Sequence, residues 1–295
     1  DTTDTENTVM LRALPRALSR RGVSGGVLPN VGVRRVSTQL VDLDHDERDL
    51  MKRFWDEHSQ NGSVQEMMLD DNADKIEQAD REEILSLLPA LDGRHVLELA
   101  SGIGRFSPHL ARLAGPQGHV TAVEFVSSFH EKNKAAHGHL SNVDFHCADA
   151  TTLELPEGSV DVIFINWLLM YLGDAEVEDF ASKALRWLTP GGRIFFRESC
   201  LQQSGSKARA FNPTHYRDPE EYTRIFAAAG AKQADSMPAV ASTAAFHLER
   251  MQSSRTYITE KGNANQLTWL WQKEDARWPS RLSAGRARAG RAAPA

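Results

Sequence analysis

Cysteine is scarce in this chain: Cys147 and Cys200 are the only two among 295 residues. Both fall in strand-like sequence, which argues against a disulfide scaffold and for a reduced intracellular protein. Long apolar runs are missing as well. No stretch of about 18 apolar residues occurs, so no segment reads as a membrane-spanning helix. Acidic residues are absent between Met10 and Val41 and from residue 276 to the end. The terminal stretches 1–41 and 276–295 contribute +3 and +5, so residues 42–275 carry −14 within a total of −6. An acidic body excludes a general nucleic-acid binder, which needs a basic face. Arg12, Arg16 and Arg20 recur every four residues against Leu11, Leu14 and Leu18. That start resembles a mitochondrial presequence if Met10 is the true beginning; otherwise 1–41 reads as disordered and the protein as cytoplasmic. The basic tail 276–295 also reads as disordered.

Between these ends the pattern is ordered. Residues 42–92 are helix-like, around Phe54, Trp55, Met67, Met68, Ile84 and Leu85, and predict an N-terminal helical cap. From Gly93 to residue 275, strand-like and helix-like stretches alternate. The predicted strands are His95–Leu99, His119–Phe125, Val143–Asp149, Val160–Trp167 and Arg193–Ser199. They are short and rich in Val, Ile and Phe, as strands buried on both faces should be. Helices are predicted over 105–114, 127–139 and 174–188, the last stopping before Pro190-Gly191-Gly192. Alternation of this kind predicts an α/β, Rossmann-like, mostly parallel sheet. His247–Ile258 and Gln266–Gln272 flank Lys261-Gly262-Asn263 and predict an antiparallel edge hairpin, with Trp269 and Trp271 on one packed face.

The most informative segment is Val96-Leu97-Glu98-Leu99-Ala100-Ser101-Gly102-Ile103-Gly104-Arg105. An apolar strand stops at an acid and passes through a small-residue turn into a helix, which lets a ligand lie on the backbone. A dinucleotide turn has glycine three residues after Gly104, where this chain has Ser107. Glu124, Asp149 and Asn166 then mark the ends of the next three strands, where open α/β sheets bind ligands. Glu124 suits two ribose hydroxyls, and Asp149 suits an adenine amino group. Glu98, Glu124, Asp149 and Asn166 together resemble class I S-adenosylmethionine methyltransferases, and the acids suit a sulfonium cofactor. Ala100 replaces that family's first glycine, a change compatible with binding at negative φ.

Further segments carry a narrower resemblance. Val64-Gln65-Glu66-Met67-Met68-Leu69, Asn166 through Leu172, Arg197-Glu198-Ser199-Cys200 and Asn212-Pro213-Thr214-His215-Tyr216-Arg217 follow in order. With the glycine turn they resemble phosphoethanolamine N-methyltransferases, specifically the first catalytic domain of the plant-type enzymes, from about Phe54 to Lys273. The resemblance implies N-methylation of phosphoethanolamine, a small-molecule phosphobase, with S-adenosylmethionine as cofactor and no metal. It implies cofactor contacts at Ala100, Gly102, Gly104, Arg105, Glu124, Asp149, Ala150 and Asn166. It implies substrate contacts at Ser199, Ser204, Gly205, Arg209 and Tyr216, residue types that suit a phosphomonoester dianion. The substrate amine must lose a proton before it attacks. Tyr171 is the expected base, with His58 or His215 as its partner. Related single-domain enzymes place their tyrosine in the cap, and this chain has no tyrosine before Tyr171. Two other readings are a class I methyltransferase for another small acceptor and a non-catalytic methyltransferase-like partner subunit.

Overall fold

A computed structural model describes residues 48–207, 209, 211–236 and 244–274. The presequence and tail expectations therefore fall outside the described residues. The chain divides into two compact units, Asp1–Asp49 and Leu50–Ala295. Everything that follows belongs to the second.

Helical sequence comes first. Residues 50–58 are helical (α1) and lead to the short helix α2, Val64–Met67, and then to α3, Ala73–Ser86. Ser63 and Glu66 form a capping box at α2, each satisfying a backbone N–H of the other's segment.

The alternating region then builds β1 (His95–Leu99), α4 (Ser107–Ala114), β2 (His119–Glu124), α5 (Ser127–His137) and β3 (Val143–Cys147). It continues with β4 (Val160–Asn166), α6 (Asp174–Trp187), β5 (Leu188–Ser199) and α7 (Pro219–Ser236). The strands form one sheet in the order β3-β2-β1-β4-β5, all parallel. The order reverses beside β1, so the β1 and β4 ends flank a crevice.

Two antiparallel strands complete the sheet, and here the expectations need correcting. β6 (Ala245–Ser253) is the edge, whereas β7 (Gln266–Glu274) lies between it and β5. Trp269 and Trp271 are thus interior: they pack with Phe196, Tyr222 and Phe226 in the largest apolar cluster. Ile258 is not in a strand. The last four residues of that predicted strand open helix α8, Arg255–Lys261, which ends where the predicted turn begins. Its first N–H groups find a distant partner: Glu83 of α3 accepts from Arg255 N (2.7 Å), Thr256 N (2.8 Å) and the Ser254 hydroxyl (2.9 Å). A second difference is at Pro190-Gly191-Gly192, which lies inside β5 rather than before it.

Apolar side chains cover both faces of the sheet. A third cluster lies over the strand ends. It joins Met51, Met68 and Ile76 to Trp167, Met170, Tyr171 and Tyr257, and so roofs the crevice.

Candidate active site

The β1–α4 turn is tied to its neighbour by Ser101 N, which donates to the Val123 carbonyl (3.0 Å). Ala100 adopts φ +55, not the negative value that the sequence reading required. An L-residue there carries a strain of about 1–2 kcal/mol. The three other described non-glycine residues at positive φ are Leu69, Trp167 and Leu201. Leu69 and Trp167 line the cavity described below.

Glu124 braces the same turn. Its Oε2 accepts from Gly102 N (2.7 Å) and its Oε1 from Val126 N (2.8 Å). Burial pushes its carboxyl up, against those N–H donors. Gly104 serves packing: a Cβ there would lie 2.2 Å from Asn133 Oδ1 and 2.6 Å from His137 Cδ2, both on α5. Ser107, in place of a third glycine, hydrogen-bonds the buried Glu98 and accepts from Asn133 Nδ2 (2.9 Å). Burial pushes the Glu98 carboxyl up to about 8 against that bond, with the Glu124 charge adding. Glu98 Oε2 has no hydrogen-bond partner.

Asp149 caps the short turn Ala150–Thr152, accepting from Thr151 N (2.9 Å) and Thr151 Oγ1 (2.8 Å) at Oδ1. Ala150 is buried in that turn. Asn166 accepts at Oδ1 from Arg197 Nε (2.8 Å). Arg105, expected against the cofactor, is committed to α3. Its Nε donates to Glu77 Oε1 (3.0 Å) and its Nη2 to Asp80 Oδ2 (2.5 Å), while Nη1 is buried without a partner.

Sequence reasoning missed the partner of that arginine. Asp80 is fully buried between Arg105 and Arg197, whose Nη1 and Nη2 lie 2.5 and 3.1 Å from it. Burial works to raise the Asp80 carboxyl, but Arg197 and Arg105 outweigh it and hold it low. The Arg197 guanidinium also lies 3.9 Å from the Trp167 ring centroid. Asp80 falls on the apolar face of α3, a weak signal for an ion pair 117 residues distant in sequence.

The expected substrate residues do converge. A small cavity is lined by Ser199, Ser204, Arg209 and Tyr216, with Tyr171, Trp167, Met170 and Met67–Leu69 as its other walls. Ser199 and Ser204 hydroxyls are 3.2 Å apart, and Gln266 Nε2 donates to Ser199 Oγ. Arg209 Nη1 donates to Tyr216 Oη (3.1 Å) and Asn212 Oδ1 (3.2 Å), while its Nε is buried without a partner. Gly205 stands outside the lining. A Cβ on it would lie 2.2 Å from the Leu69 carbonyl oxygen, so it lets the loop press onto the α2–α3 link. Lys261 pairs with Asp70 on that link and reaches the Ser204 carbonyl (3.5 Å). Sequence alone places this lysine in a turn.

The catalytic pair expected from the sequence is not assembled. Tyr171 is buried, and its hydroxyl is pushed far above the ordinary tyrosine range by burial, only partly opposed by Arg209. The phenol is therefore protonated in the free protein. His58 stacks on Phe54 (centroids 4.3 Å apart) and its Nδ1 is 2.7 Å from the Phe54 carbonyl. Trp55 instead meets the Tyr171 ring edge-on, 5.3 Å away. His215 touches the segment through its backbone, donating N–H to Met170 O (2.7 Å).

Comparison with known proteins adds to this geometry. Residues 96–192 match a family described as a methyltransferase domain. A phosphoethanolamine N-methyltransferase of Triticum aestivum is 46% identical over 230 residues, 77% of this chain and 44% of that protein. One from Caenorhabditis elegans is 34% identical over 82% of this chain and 51% of its own length. The chain thus spans about half the length of these curated relatives. Among solved structures, Haemonchus contortus phosphoethanolamine N-methyltransferase 1, in complex with phosphoethanolamine and S-adenosylhomocysteine, matches with TM-score 0.72 and 35% identity. The match covers 80% of this chain and 51% of that one. A S-adenosylmethionine-dependent methyltransferase from Leishmania major, 20% identical with TM-score 0.59, shares the fold.

Proposed function

We propose that this chain, which belongs to the phosphoethanolamine N-methyltransferase family, methylates the amine of phosphoethanolamine with S-adenosylmethionine as donor. The observation that carries the reading is the cavity in which Ser199, Ser204, Arg209 and Tyr216 converge beside Tyr171.

The residues present fit the cofactor. Glu98 and Glu124 are buried acids whose carboxyls are pushed up, a state that a nearby cation relieves. Arg105 holds a buried N–H without a partner, which suits a carboxylate. Glu124 and Asp149 would hold ribose and adenine, and Arg105 the amino-acid end. Bound there, S-adenosylmethionine supplies an electrophilic methyl group on a sulfonium sulfur.

The chain's own residues then do three things. Arg209, with its unpartnered Nε, and the hydroxyls of Ser199, Ser204 and Tyr216 hold the phosphate. The walls of Met67, Met68, Trp167 and Met170 exclude water around the amine. Tyr171, kept as a neutral phenol, orients the amine through its oxygen; the ammonium proton passes to bulk water before the walls enclose the amine and the lone pair attacks. Alignment then accounts for most of the rate, since a well-placed pair gains roughly 7–11 kcal/mol over free encounter.

A radiolabelled methyl-transfer assay tests this. The expected result is labelled N-methylated phosphoethanolamine, with no transfer to free ethanolamine. Binding of S-adenosylmethionine with no transfer to any phosphobase would favour the non-catalytic partner reading instead.

A further inference from the structure

The segment that carries Tyr171 is held from both sides by buried charge. On its N–H side lies Glu198, at the end of β5 and fully buried. Its Oε1 accepts from Leu168 N (3.1 Å) and Leu169 N (2.8 Å), and its Oε2 from Met170 N (3.2 Å). On the carbonyl side lies Arg217. Its Nη1 donates to Leu169 O (2.9 Å) and its Nη2 to Leu172 O (2.5 Å). Asp174 Oδ1 accepts from Arg217 Nε and Nη2 (2.9 and 2.7 Å) and fixes the guanidinium plane. The clamped residues include Met170 and Tyr171, both cavity walls.

The two grips come from different places. Glu198 is part of the rigid sheet, one residue before Ser199. Arg217 ends the loop that carries Ser204 and Arg209, and it directly follows Tyr216, the hydrogen-bond partner of Arg209. Adjacent residues of one loop thus face the phosphate pocket and the Tyr171 turn. Backbone N–H and C=O groups buried against a carboxylate and a guanidinium have no water to replace either partner, so loss of one is costly.

We propose that Glu198 and Arg217 are positioning residues that clamp 168–172 between them, so that seating the substrate loop on the phosphate sets the Tyr171 turn against the amine. The proposal rests on reading the cavity as the phosphoethanolamine site, but the clamp itself has a readout that does not depend on turnover.

The test compares Arg217→Met, Arg217→Lys and Glu198→Gln with the wild type. Hydrogen exchange of a peptide spanning 167–173 is followed without ligand and with phosphoethanolamine. Exchange at 168–172 is expected to quicken at least about tenfold in Arg217→Met and Glu198→Gln, with other sheet amides unchanged. Glutamine keeps the shape but turns an NH2 toward a peptide N–H. In turnover, Arg217→Met is expected to lower kcat by roughly tenfold to a hundredfold, with KM for phosphoethanolamine within about threefold, because misplacement by an ångström costs on that order. Arg217→Lys is expected to recover part of the loss. Unchanged exchange at 168–172 in both Glu198→Gln and Arg217→Lys overturns the clamp, even if Arg217→Met fails to fold. A kcat that falls only with the folded fraction also overturns it. If the wild type does not methylate phosphoethanolamine, the functional reading fails, while the ligand-free exchange still decides the clamp.

Discussion

Ala100 and Glu98 stand two residues apart beside the turn and show how single residues carry strain there. Ala100 stands at φ +55, where glycine costs nothing. Ala100→Gly is expected to raise stability by about 0.5–1 kcal/mol, after the greater freedom of glycine in the unfolded chain is subtracted. Urea denaturation measures it; a loss of stability would mean the Ala100 methyl packs more than the backbone suffers. Glu98 carries strain of another kind. Its carboxyl is pushed up to about 8 in the folded protein from an ordinary value of 4.5. The folded state therefore binds a proton that the unfolded state has released between those values. Stability contributed by this group is present below pH 4.5 and falls as pH rises toward 8. Glu98→Gln removes that titration. The stability difference between pH 5 and pH 8 is expected to narrow by more than about 1 kcal/mol relative to wild type. Glu198, pushed up to about 7 by burial, falls in the same direction and leaves a residual slope.

At the scale of elements, the loop 204–217 is the part that would make the substrate half of the proposed site. Its described residues have little regular structure, yet they are pinned at several points. Ser206 Oγ donates to Asp70 (3.0 Å), Lys207 N donates to the Leu69 carbonyl (3.3 Å), and Gly205 presses on the same link. Arg209 is the loop's charged contribution: Tyr216 and Asn212 hold its Nη1, while its Nε is buried without a hydrogen-bond partner. Arg209→Ala is expected to raise KM for phosphoethanolamine by roughly tenfold to a hundredfold, the worth of a charge-assisted hydrogen bond. Affinity for S-adenosylhomocysteine, read by calorimetry, should stay within about twofold if Arg209 serves the proposed substrate half alone. Equal losses of both affinities would place Arg209 in a general structural role.

Across the whole molecule, legibility followed the range of the interaction. The five parallel strands were readable because apolar runs and helical spacing are properties of neighbouring residues. So were the acids at the strand ends, because position in a strand is local. Helix α8 was not readable, since the groups that satisfy its first N–H donors sit on Glu83, about 170 residues earlier. The interior placement of Trp269 and Trp271 was hidden for the same reason, as period-2 alternation does not say whether a strand is an edge. The residues expected to hold substrate came from resemblance, and four of the five share one cavity. The Tyr171–His58 pairing was not borne out by geometry. Residue types suggested it, but Phe54 takes His58 and Trp55 takes the Tyr171 ring.

The sequence by itself determined which residues stand at the carboxyl ends of the strands, and hence the chemistry available there: acids, a small-residue turn, and a loop rich in hydroxyls and cations. Only the tertiary structure decided their states. Asp80 became a shared counter-ion because Arg105 and Arg197 close on it from different elements. Burial took the Tyr171 phenol still further from ionisation than an ordinary tyrosine, and sealed Glu198 against three peptide N–H groups. Protonation and pairing depend on desolvation and on charges brought from distant parts of the chain, and neither is set by a residue's neighbours in sequence.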